Sequence, residues 1–167
     1  MGGQADVGLA GGDHALVLVG VITAAAGFLL SVLWFDLMFD VQVARHRAGD
    51  VPEPVLASIA AYYRRVTKTA SPMGRLVAVV MLVLTGGIIW QAADGDAAVW
   101  VSIVSFVAAG TGIGLALVRT FGHARRLGAR GDPIEVQSAL ARSILGDHVV
   151  CFAAMVTVLV AQLGGAA

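Results

Sequence analysis

Charge is scarce in this chain of 167 residues: Asp, Glu, Lys and Arg make up 13% of it and hydrophobic residues 58%, where soluble domains carry roughly 25% and 45–50%. That balance excludes disorder, which needs low hydrophobicity and high net charge. Eleven Lys plus Arg meet eleven Asp plus Glu, so no overall basic field points to a nucleic-acid partner. A single cysteine, Cys151, excludes an intramolecular disulfide and a CxxC zinc ribbon. A Gly-rich phosphate loop, a Walker lysine and a GxSxG elbow are missing. The run Gly110-Thr111-Gly112-Ile113-Gly114 lies inside an apolar stretch and is no dinucleotide fingerprint. No basic residue precedes Arg45, which argues against a secretory signal peptide. Asp6 stands where a myristoylation sequence after Met1-Gly2 needs Ser or Thr.

What the chain does have is long apolar runs. Ala15 to Phe39 carries no charge before Asp36 and exceeds the ~20 residues a helix needs to cross the hydrocarbon layer. Further runs cover Leu76 to Trp90, Ala97 to Val118 and Val149 to Leu163. With flanking residues added to the short ones, the expected spans are 15–39, 73–91, 97–121 and 144–163. Backbone in lipid must satisfy its own hydrogen bonds, so each is read as a helix. The expected fold is an all-α integral membrane protein, a four-transmembrane-helix bundle forming one membrane domain.

Every Lys and Arg falls between Arg45 and Arg75 or between Arg119 and Arg142, whereas Asp6, Asp13, Asp94 and Asp96 mark the other side. The positive-inside bias puts both long connections, 40–72 and 122–143, in the cytoplasm and both termini outside. The expected location is a bacterial-type inner (plasma) membrane.

The connections carry helix signals of their own. Pro52-Glu53-Pro54 precedes a periodic run whose Arg64, Arg65 and Lys68 fall at its end, the polarity a helix favours. Val55, Ile59, Tyr62 and Val66 share a face, which suggests an amphipathic helix lying in the membrane interface. Ser71-Pro72 reads as an N-cap and first-turn proline. Asp132 and Glu135 have capping-box spacing, so the fourth helix is expected to start there and to run through Gly146 to Leu163, about 46 Å at helical rise. A shift of 82 positions aligns Phe39 with Phe121, Gly49-Asp50 with Gly131-Asp132 and Glu53 with Glu135. Those matches raise a two-hairpin internal repeat, against the alternative that helix-start chemistry simply recurs.

Asp36 and Asp40 share a helix face at the end of span one. One reading pairs them with Arg45 or Arg47 at the interface; the other turns Asp36 into the bundle, where intramembrane acids tend to be functional. Asp147 and His148 abut span four, and His123 ends span three. Neighbouring helix positions point about 100° apart, so Asp147 and His148 should face different partners. Asp36, Asp40, Asp147, His148 and His123 thus collect at the cytoplasmic end, with Tyr62, Tyr63 and His46 nearby. These residue types admit four readings: a structural network of ion pairs and caps, a metal ion held by the Asp and His side chains, a haem ligated by His123 or His148, or a proton pathway. No ExxH, HExxH or i, i+4 His pair is present, and beyond Thr85, Ser102, Ser105, Thr111 and Thr157 little polar track continues outward.

Gly110 and Gly114, and the stripe Gly20, Ala24, Gly27 and Ser31, suggest close helix contacts within the chain or between copies, or a gap for a quinone or lipid. Trp34, Trp90 and Trp100 suit interfacial anchoring. The leading expectation is a binding or accessory component acting through its cytoplasmic face, with the bilayer, a homo-oligomer or a membrane complex as partner. The alternatives are an oxidoreductase using a metal or haem, and a small proton- or ion-coupled transporter.

Overall fold

The computed structural model describes residues 3–69, 71–95 and 97–165, with side chains described for 14–69, 72–95 and 97–165. Met1-Gly2, Asp96 and the side chains of Asp6, Asp13 and Ser71 therefore lie outside the described residues. The described chain is all helical. α1 covers Gly3–Asp40 and passes into a 3-10 turn, Val41–Arg45. α2, Glu53–Arg64, continues as a π segment, Arg65–Thr69, and α3 covers Ser71–Asp94. α4, Val99–Leu115, runs through a second π segment, Ala116–Thr120, into α5, Phe121–Ala129, and α6 covers Ile134–Gly165. Four helical stretches, His14–Arg45, Pro72–Asp94, Val99–Ala129 and Ile134–Gly165, are long and apolar enough to cross a membrane.

α6 packs on both α1 and α4, and α3 packs on α1 and α4. Two apolar cores result. The first is built by Ile22, Ala26 and Leu29 of α1, Leu84 and Ile88 of α3, Ala109 of α4, and Met155 and Val158 of α6. The second belongs to the connections: Val43, Val51, Leu56, Ile59, Tyr63, Leu127, Leu140 and Ile144 close on one another. Burial of those side chains supplies its cohesion, at about 1.5–3 kcal/mol for each large one.

α2 belongs to that second core. It buries Leu56, Ile59, Ala60 and Tyr63, so the packed face is rotated from the expected set of Val55, Ile59, Tyr62 and Val66. Arg64, Arg65 and Lys68 are exposed. The preceding loop is tied to α6: the Val51 amide donates to Ser138 Oγ at 2.9 Å, and Arg142 donates to the carbonyls of His46 and Gly49 at 3.1 and 2.9 Å. Gly49 takes φ 70, a left-handed value that costs glycine no steric penalty. Where α2 meets α5, a Cβ on Gly128 would stand 2.8 Å from the Arg64 backbone nitrogen. Glycine there permits the close approach of the two helices.

One local expectation is corrected, and the within-chain form of another is replaced. Asp132 does not cap α6; its carboxylate accepts from Arg126 at 2.8 Å, a charge-assisted bond stronger than one to a neutral amide. The glycine contact in α4 is made by Gly112, whose added Cβ would meet Met155 and Ala154 at 3.3 and 3.4 Å, whereas nothing lies within 4 Å of Gly110, Gly114, Gly20 or Gly27. α6 does run unbroken through Gly146.

Candidate functional site

Between the two apolar cores lies a polar layer. The C-terminal end of α1 contributes Asp36 and Asp40, one turn apart; α2 contributes Tyr62 and Tyr63, and α6 contributes His148. Tyr63 Oη donates to Asp40 Oδ1 at 2.6 Å, and His148 Nδ1 lies 2.6 Å from Asp40 Oδ2. Asp40 is 1% exposed, so these partners satisfy a carboxylate that burial alone would make costly. With Nδ1 donating to Asp40, Nε2 is the nitrogen left to face outward.

Asp36 occupies the next turn and a different environment. Its Oδ1 accepts from Tyr62 Oη at 2.6 Å, and its Oδ2 stands 3.9 Å from His148 Nε2. That separation is too long for a hydrogen bond. The pairing of Asp36 and Asp40 with Arg45 or Arg47 is thus replaced by tyrosine and imidazole contacts, because α2 folds back over the end of α1. The Tyr62 ring also stacks on Phe39 with centroids 4.1 Å apart. Burial, then the neighbouring Asp36, raises the Tyr62 hydroxyl well above the usual tyrosine range, and burial with Asp40 does the same for Tyr63. Both hydroxyls therefore stay protonated and act as donors to the two carboxylates.

Asp147 and His148 diverge, as their adjacent places on a helix require. Asp147 is fully buried and turns to α4 and its π segment, accepting from Arg119 Nε at 3.1 Å, from Arg119 Nη2, and from Thr120 Oγ1 at 3.1 Å. His123 sits apart on α5, its Nδ1 3.3 Å from Ser143 Oγ. The five candidates therefore form three groups: Asp36, Asp40 and His148 together, Asp147 with Arg119, and His123 with Ser143. Among the described residues no group of three or more His, Cys, Asp and Glu side chains is arranged to hold a metal ion.

The Asp36 and His148 edge opens on a cavity of about 400 Å³. Its walls come from α1 (Leu29, Leu33, Phe35), α3 (Met73, Val77, Met81) and α4 (Gly112, Ile113), with Met155 of α6 behind. They are overwhelmingly apolar; Asp36, Tyr62 and His148 supply polar atoms at one end, and Arg65 and Thr120 join the lining from the two π segments. Single-turn π insertions recur at functional sites, because the extra residue re-aims side chains without ending the helix. An apolar cavity with a few convergent polar groups is the usual form of a small-molecule site.

A second buried polar group, at the far end of the bundle, escaped the sequence reading. Gln91 and Gln162 exchange amide hydrogen bonds at 2.9 and 2.8 Å, and Gln162 Nε2 also donates to Ser105 Oγ at 3.0 Å. A glutamine at the end of one apolar run and another inside a second were the available signal. No protein-family model, curated protein sequence or solved structure matches the chain.

Proposed function

We propose that the chain is a multi-pass membrane protein, with both long connections on the cytoplasmic side of a bacterial-type inner membrane, that binds a small membrane-soluble amphiphile in the cavity beside Asp36 and His148. The observation that carries this reading is the open pair of polar atoms on an apolar wall. Asp36 Oδ2 and His148 Nε2 stand 3.9 Å apart with no hydrogen-bond partner among the described residues, and the cavity in front of them is lined mainly by Leu, Val, Ile, Met and Phe. A ligand head bearing a hydroxyl or amine supplies the missing donor, and its apolar body fills the remainder. The reading is supported by exposed apolar side chains on all four long helices, among them Leu16, Leu82, Val118 and Val160, which suit contact with lipid. The clustering of every Lys and Arg on the two connections or within three residues of them supports the sidedness.

The test is titration of the detergent-purified protein with the neutral fluorophore 1-aminoanthracene, alongside the chain carrying Val77→Phe. Saturable binding to the wild type that is lost in the filled variant, with helicity by circular dichroism retained in both, is the expected result. Equal, non-saturating uptake by both proteins means partition into the micelle and overturns the reading.

A further inference from the structure

The cavity's charge and aromatic lining select among amphiphiles, and we infer that its ligand class is an apolar organic cation, an ammonium-type head on a hydrophobic body. This inference rests on the proposed binding cavity and names what that cavity takes. Asp36 lines its polar end beside the imidazole of His148, and Asp40, buried behind that ring, accepts from it at 2.6 Å. Arg119, the nearest fixed cation on α4 and its π segment, is engaged with Asp147. Arg65 also lines the cavity, but it is exposed and its charge is screened by solvent. An anionic head seated against Asp36 Oδ2 is repelled by that carboxylate.

A cation meets complementary groups instead. Asp36 Oδ2 has a free acceptor position, and carboxylates at membrane depth are costly without a counter-charge. Phe35, Phe39 and Tyr62 line the same end of the cavity, and aromatic faces attract a desolvated cation through their quadrupole. Met73 and Met81, also in the lining, offer unbranched, polarisable side chains that adapt to ligands of different shape. The cavity therefore selects the head by charge and tolerates variety in the body.

The discriminating probes are tetraphenylphosphonium and tetraphenylborate, which share size and shape and differ in sign. Binding to the purified wild-type protein is measured by equilibrium dialysis, with uptake by the Val77→Phe chain subtracted as micelle partition. The phosphonium is expected to bind at least about tenfold more tightly than the borate, a ratio equivalent to one favourable charge contact. Asp36→Asn is expected to remove most of that preference; the wild-type comparison stands by itself if that variant does not fold. Equal affinities, or tighter binding of the borate, overturn the cation assignment. If 1-aminoanthracene binds while the phosphonium does not, the ligand class is wrong and the cavity reading survives; if neither binds, both fall.

Discussion

Asp40 and His148 stand 108 positions apart in the sequence and meet at 2.6 Å, carboxylate Oδ2 to imidazole Nδ1. The contact joins the end of α1 to the middle of α6 and fixes which ring nitrogen faces the cavity. Tyr63 completes it by donating to the other oxygen of the same carboxylate.

Replacing Tyr63 with Phe removes one donor from a buried carboxylate while preserving most of the packing. A loss of about 1–3 kcal/mol of stability is expected, the penalty for leaving a buried acceptor short of a partner. The imidazole of His148 should also lose its fixed orientation, which nitrogen NMR of the ring reads directly. An unchanged unfolding midpoint together with an unchanged ring spectrum would show that Tyr63 does not hold the pair.

Alkaline pH should weaken the fold. Burial and the adjacent carboxylates keep the hydroxyls of Tyr62 and Tyr63 protonated above the ordinary tyrosine value of 10.0. In the unfolded chain they ionise near that value, so the unfolded state holds fewer protons there and stability falls as pH rises. Their contribution is complete below pH 10.0 and declines above it. For the well-buried Tyr63 the slope is about 1.4 kcal/mol per pH unit. Unfolding curves on either side of that value check the sign, and Tyr63→Phe should flatten the decline.

Gly128→Ala should loosen the contact between α2 and α5. The new methyl group meets backbone atoms of Tyr63 and Arg64, the nearest at 2.8 Å, and backbone cannot swing aside as a side-chain tip can. A cost of about 1–3 kcal/mol is typical of such overpacking. Because Tyr62 and Tyr63 ride on α2, probe binding in the cavity should weaken as well. Gly110→Ala, with open space around it, is the matched control.

At the opposite end, Gln91 and Gln162 form a reciprocal pair. Gln162→Leu alone strands the Gln91 amide and is expected to cost about 1–3 kcal/mol, whereas changing both to Leu should recover most of that. A double-mutant cycle in a denaturant titration measures the coupling. Additive effects of the two substitutions would show that the amides do not act as a pair.

The sequence by itself determined the four long apolar helices, the concentration of Lys and Arg on two connections, the continuity of α6 through Gly146 and the choice of Asp36, Asp40 and His148 as residues to watch. These are properties of one segment at a time: hydropathy sums along a run, and helix polarity is written in the residues at its ends. Tertiary structure decided how the candidates divide. Asp147 turns to Arg119, His123 to Ser143, and Asp36 and Asp40 to tyrosines on α2 instead of to Arg45 or Arg47. It also decided which glycine makes the close contact in α4, Gly112 and not Gly110 or Gly114, and that the glutamines of α3 and α6 meet. Each of those outcomes depends on the rotation of one helix against another and on a loop folding α2 back over the bundle. In near-uniformly apolar helices such rotations leave no periodic trace, because the lipid-facing and core-facing sides are made of the same residue types.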